Sequence, residues 1–353
     1  MNEKQTNLNL LKKFGILTNP NRTMTTVDAR VLDQPKTLNR PFAYFKSVPI
    51  EKWICIWMHE DANNRKERNE LIRNKFICGV KNTFSKTLTI KDKPVIQVLS
   101  KQTVDEIFDL INKNCPNPNL IIFIIEDSEE EYARIKSLGD LKFGIPTQCI
   151  NYSKLVSKID LRIPLEETKD DRNLDMYLSN VALKINAKLG GINSVVNLSL
   201  DGINLYNESC MMMGGDVTNF GTGKSIASLV GSCDKHFTQY FSFSKYQENQ
   251  NKNKKSQEII VDMEDMTFDI LNSYVQQNKT LPKRIVYFRD GVDTGQFMDV
   301  IEKEQIDIKK AYEKVSGGKS QPKITVLIVV KRHHTKLFPI YDNDKIDKVI
   351  FIL

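Results

Sequence analysis

Residues Arg284-Ile285-Val286-Tyr287-Phe288-Arg289-Asp290-Gly291 put a carboxylate where an apolar strand breaks into a glycine turn. An Asp so placed can hold a metal ion. The same order of apolar strand, glycine and Asp stands upstream at Met211-Met212-Met213-Gly214-Gly215-Asp216, making Asp216 and Asp290 candidate ligands of one site. Two carboxylates at neighbouring strand ends repel unless a proton or cations intervene, and Mg²⁺ is the usual intracellular ion where carboxylates meet phosphate. This pattern suggests metal-dependent phosphoryl chemistry. Taken singly, each Asp is better explained as a turn or helix-cap residue. Glu258 follows a lysine-rich stretch and is expected to open a helix, where an acid complements the helix dipole.

A second set of residues is basic. Tyr132 and Lys136 are spaced i, i+4, as are Lys184 and Lys188, so each pair shares one helical face. Lysines one turn apart repel unless an anion lies between them. A phosphate would suit, with Gln148 adding a neutral donor; the alternative is a solvated basic face. Two other patterns carry less. Gly221-Thr222-Gly223-Lys224-Ser225 resembles a P-loop, but Thr218 stands where the first glycine is required and a strand is expected to follow. His333 and His334 are adjacent on an expected strand, so their side chains point to opposite faces and do not chelate one ion.

A chain of 353 residues has room for about two domains, each with its own core. The six cysteines lie far apart without a CxxC pair, which argues against a zinc site or a disulfide framework. No apolar run reaches the roughly 20 residues of a membrane span, and the N-terminus lacks a signal peptide's apolar region. The expected location is the cytoplasm, with the nucleus as an additional one. A net charge of +7 is compatible with a polyanionic partner but does not demand one.

Residues 1–48 read as an extended linker with scattered Pro and Asn. From Trp53 the periodicity predicts alternating strands (53–58, 94–99, 119–125, 147–150) and helices (64–88, 104–114, 129–138), hence a parallel α/β sheet. A helix over 172–189, stopped by Gly190-Gly191, closes this first domain. The order then changes. Three strands (210–215, 225–231, 239–246) precede helix 258–275, strand 284–289, helix 295–315 and strand 323–330. That is the chain order of the ribonuclease H fold, whose first and fourth strands are neighbours; Asp216 and Asp290 should then lie side by side. Residues 247–257 read as a mobile, lysine-rich loop.

Several segments together resemble the Argonaute family. They are Phe14-Gly15-Ile16 and Ala29 to Leu32, Thr147-Gln148-Cys149, Leu183 to Asn193, Gly214 to Thr218, Ser225 to Ser232, Arg289 to Phe297, and Lys331 to Phe338. The resemblance implies an α/β chain: a linker over 1–48, a Rossmann-like MID domain over 49–190, and a ribonuclease H-like PIWI domain over 191–353. It further implies that Tyr132, Lys136, Gln148, Lys184 and Lys188 anchor the 5′-phosphate of a small guide RNA, with Tyr132 stacked on the first base. Asp216, Glu258 and Asp290 match three of the family's slicer ligands, which hold two Mg²⁺ or Mn²⁺ ions; the fourth is usually His or Asp. The family's PIWI domain runs well beyond Leu353, so the chain is expected to be C-terminally incomplete. The implied function is RNA-guided silencing with cleavage of complementary target RNA, hence an endoribonuclease if the fourth ligand is supplied. The alternative is a guide-RNA binder that represses by recruiting other silencing proteins. A monomer without membrane association is expected.

Overall fold

The structure is a computed structural model that describes residues 44–59, 66–88, 95–98, 102–196, 199–200, 203–204, 209–220, 224–248, 258–292 and 294–330. The expected linker up to residue 43, the P-loop-like glycines, His333, His334 and the Lys331 to Phe338 motif lie outside the described residues.

The first domain is a parallel sheet of β1 (Trp53–Trp57), β2 (Val95–Val98), β3 (Leu120–Ile125) and β4 (Thr147–Asn151), in the order β2-β1-β3-β4. Strands β1 and β3 are buried on both faces, which explains their unbroken apolar runs WICIW and LIIFII. Helices α1 (Lys66–Thr87) and α5 (Arg172–Lys188) cover one face. Helices α2 (Val104–Asn114) and α3 (Glu129–Lys136) cover the other, and the short α4 (Tyr152–Val156) follows β4. Helix α2 begins at a complete capping box between Thr103 and Glu106, so its predicted bounds match the observed ones. Close packing of α1 on α5 needs Gly79, because a Cβ there would stand 2.9 Å from side-chain carbons of Leu174 and Leu178.

Helix α5 ends as its sequence requires. Gly190 takes φ +85°, a left-handed conformation open to glycine, and Gly191 leaves room for Asn186. The fully buried Asn186 side chain accepts from Val48 N and donates to Lys46 O and Asn193 Oδ1, joining the entry and exit of the domain.

A small hairpin, β5 (Ser199–Leu200) with β6 (Ile203–Asn204), precedes the second sheet. That sheet has the order β11-β10-β7-β8-β9, built from β7 (Cys210–Asn219), β8 (Lys224–Ser232), β9 (Tyr240–Glu248), β10 (Arg284–Asp290) and β11 (Lys323–Val329). Strands β7, β8 and β9 are antiparallel; β10 runs parallel to β7 and β11 parallel to β10. Helices α6 (Met263–Asn278) and α8 (Gln305–Ser316) share a core with the odd-numbered residues Met211, Met213, Ile285 and Tyr287. The short α7 (Phe297–Asp299) leads into α8.

Four expectations need correction. Strand 210–215 does not end before Asp216: β7 runs on to Asn219, and Asp216 pairs with Ser228 of β8. Glu258 does not open a helix: α6 starts at Met263, and Glu258 lies in an irregular segment before it. Helix 129–138 stops being α-helical at Lys136 and continues as a π-helix over Ser137–Phe143, just as helix 295–315 contains a π-helix over Val300–Glu304. Gln247 and Glu248 belong to β9 rather than to a loop, and Gln247 is buried; the remainder of that stretch, 249–257, lies outside the described residues.

Candidate functional sites

Lys136 ends α3 and Lys188 ends α5, and both ammonium groups turn towards the start of β4. Lys136 Nζ donates to Thr147 O and Thr147 Oγ1, each at 2.7 Å. Lys188 Nζ donates to the same Thr147 O and to Gln148 Oε1, each at 2.8 Å. Gln148 is buried and its amide donates to Cys149 O at 2.7 Å, which fixes the oxygen towards Lys188. The lysines, Thr147, Gly139, Asp140, Gly144, Ile145 and Pro146 line a pocket of about 350 Å³. Tyr132 is 50% exposed at its side, with Lys136 Nζ 5.9 Å from the ring centre.

The electrostatics follow from crowding. Much of the Lys188 side chain is solvent-exposed, but desolvation of its ammonium and then the nearby Lys136 charge push its pKa down to about 8. Burial raises the Cys149 thiol, with the two lysines opposing that shift. An oxyanion in this pocket would relieve the repulsion between the ammoniums. The structure thus brings Tyr132, Lys136, Gln148 and Lys188 together, whereas Lys184 is exposed one turn earlier on α5. Sequence reasoning missed Thr147 as a shared acceptor and Asp140 as an acidic wall of the pocket. The π-helix over Ser137–Phe143 supplies Gly139 and Asp140, and no period in the sequence announces it.

The carboxylates occupy a different kind of place. The β7/β10 register pairs Arg289 with Gly215, so the next residues, Asp290 at the end of β10 and Asp216 within β7, stand on neighbouring strands at the same level. Both lie on the sheet face opposite α6 and α8, because side chains alternate along each strand. Asp216 is exposed and Asp290 half-buried. Gly291 turns the chain with φ +76°, and a Cβ there would lie 3.8 Å from Asp216 Oδ1. Hard oxygen donors on neighbouring strands fit Mg²⁺ or Mn²⁺. Among the described residues, no three His, Cys, Asp or Glu side chains gather closely enough to hold a metal ion, so Glu258 does not join the pair in a three-ligand cluster.

A Rossmann-like α/β domain followed by a ribonuclease H-like sheet with carboxylates side by side on neighbouring strands defines a PIWI-type architecture, and residues 120–350 match the Piwi domain family. Protein argonaute 18 of Oryza sativa subsp. japonica is 32% identical over 308 residues, covering 84% of this chain and 26% of its own length. The chain belongs to the Argonaute family.

Solved structures show the same fold. The Kluyveromyces polysporus Argonaute crystallised with a guide RNA is 24% identical with a TM-score of 0.67, covering 86% of this chain and 34% of that one. The MID-PIWI domains of N. crassa QDE-2 are 22% identical with a TM-score of 0.57, covering 81% of this chain and 74% of that one. This chain therefore spans about a quarter of the rice relative's length. Among the described residues no helix is long and apolar enough to cross a membrane.

Proposed function

We propose that this chain is the guide-anchoring part of a small-RNA-guided silencing protein, and that the Lys136/Lys188 pocket takes the 5′-phosphate of the guide. One observation carries the reading: two ammonium groups from different helices converge on Thr147 O in a pocket, with the exposed Tyr132 ring centre 5.9 Å from Lys136 Nζ. A terminal phosphate offers several acceptor oxygens to the remaining N–H groups, and Tyr132 offers a face on which a base can stack. Lys184 adds charge at the approach to the pocket.

The adjacent Asp216 and Asp290 favour a second activity, cleavage of a paired target strand. Asp216 and Asp290 would hold divalent cations, Mg²⁺ or Mn²⁺, and Glu258 would have to approach from outside the pair to serve as a third ligand. Such ions, when bound, supply an activated water and stabilise the leaving oxygen. The residues' own part is to place acceptor oxygens at the open sheet face and to keep the strands rigid.

Binding of the chain to single-stranded RNA with a 5′-phosphate or a 5′-hydroxyl, measured by fluorescence anisotropy, tests the first reading. A preference of about 10-fold or more for the phosphate is expected from charge-assisted hydrogen bonds. Equal affinities would overturn the reading. Guide-directed cutting with Mg²⁺, compared with Asp290→Ala, decides between the slicing activity and silencing by recruitment of other proteins.

A further inference from the structure

A buried ion pair stands directly behind the carboxylate-bearing strand end. Arg289 and Glu304 are 1% and 0% exposed, and Arg289 Nε lies 3.2 Å from both carboxylate oxygens of Glu304. Tyr287 donates to Glu304 Oε2 at 2.7 Å, and Ile260 N donates to Glu304 Oε1 at 3.0 Å. The remaining guanidinium groups bind backbone: Arg289 Nη1 donates to Asp290 O at 2.6 Å, and Nη2 donates to Glu258 O. One pair thus ties the chain at Glu258, Ile260 and Asp290. From β9, Gln247 holds the same segment by donating to Ile259 O at 3.0 Å and accepting from Val261 N at 3.2 Å.

Stability alone does not account for this arrangement. Removing two charges from water costs as much as their attraction returns, and well-packed apolar residues of similar size commonly do as well or better. A buried pair is distinguished by direction, because it fixes the groups that complete its hydrogen bonds. Glu304 ends the π-helix over Val300–Glu304, and the register shift of such a turn aims its carboxylate into the core beside Tyr287.

We propose that Glu304 and Arg289 are positioning residues that hold segment 258–261 and the Asp290 strand end in one register, so that the carboxylates can share divalent cations. The inference rests on the carboxylate-site reading given above. Arg289 projects to the helix-covered face and Asp290 to the open one, so the pair acts through the backbone.

The test is Mn²⁺ titration of the full chain, followed by electron paramagnetic resonance, with amide hydrogen exchange over 258–262 as a second readout. Glu304→Gln is expected to weaken Mn²⁺ binding by about 10-fold or more, as loss of an outer-shell partner does, and to speed exchange at Ile260 and Val261. That variant leaves Arg289 buried beside a neutral group, so it can fail to fold. Arg289→Met/Glu304→Leu removes both charges at similar volume and should show the same loss in a folded protein. Wild-type Mn²⁺ affinity in either folded variant overturns the inference alone. Wild-type affinity in Asp216→Asn/Asp290→Asn overturns the carboxylate-site reading and this inference together.

Discussion

The lysine pocket and the carboxylate pair are built on different kinds of element. The pocket lies at the C-terminal ends of α3 and α5 and the start of β4, whereas Asp290 ends β10 and Asp216 stands beside it in the C-terminal half of β7. Helix C-termini carry partial negative charge, so Lys188 in the last turn of α5 is ordinarily explained by its helix, whereas beyond Lys136 the chain runs on as a π-helix. Here that explanation is incomplete. Both ammoniums turn from their own helices and converge on Thr147 O, which puts two cations against one carbonyl. The carboxylates show the reverse: their partners in the core fix backbone, while Asp216 stays exposed. The first site is assembled from side chains of one domain; the second is a pair whose third candidate, Glu258, is held nearby by its backbone.

The largest effect expected from this difference is on the assembled site. Lys136→Ala/Lys188→Ala removes two charge-assisted partners, each of about 1.5–3 kcal/mol, so 5′-phosphate RNA affinity should fall about 100-fold or more. Lys184→Ala, outside the cluster, should cost about 10-fold or less in the same anisotropy measurement. Equal losses would mean that the pocket is a diffuse basic face.

Much of this arrangement was legible from sequence, and for physical reasons. The buried β1 and β3 runs, the capping box of α2 and the glycines after α5 are local signals, and each element falls within a residue or two of its expected bounds. The neighbourhood of Asp216 and Asp290 followed from chain order, because β10 inserts beside β7. Two of the misses share a cause. Both π-helices add a residue to a turn without altering the apolar pattern enough to show it, and both border a candidate site. Glu304 did leave a trace: it lies between Val300 and Ile308, four residues from each, in the stripe that the helix buries. A charge inside an apolar stripe calls for a buried partner, and Arg289 is that partner.

The next effect is a pH dependence confined to the lysine pocket. With the Lys188 pKa lowered to about 8, the folded chain releases a proton that the unfolded chain keeps until roughly pH 10.5. Unfolding free energy should therefore rise from about pH 8 to 10.5 on this account, while phosphate affinity falls because the free pocket loses its second charge. Between pH 7 and 9 the affinity should drop by about 10-fold, the fraction of Lys188 still charged at one unit above its pKa. Lys188→Arg stays charged throughout and should flatten the profile. A profile that stays steep in Lys188→Arg would assign the titration to another group.

The smallest effect separates the frame of the pocket from its charges. Ser128 caps α3, its hydroxyl accepting from Glu131 N at 3.2 Å, and this helix carries both Tyr132 and Lys136. Ser128→Ala should cost about 1 kcal/mol, lowering the melting temperature by roughly 2–4 °C for a domain of this size. The three acids of the first turn, Glu129, Glu130 and Glu131, still complement the helix N-terminus, so α3 should persist. Lys136 sits at the far end of the helix, fixed by two bonds to Thr147 that the substitution does not touch. Phosphate affinity should accordingly stay within about 2-fold of wild type, since no charge-assisted contact is lost. If Ser128→Ala instead weakens binding as much as the lysine substitutions, the pocket depends on the whole of α3 being rigid, and the contrast with the backbone-anchored carboxylate site disappears.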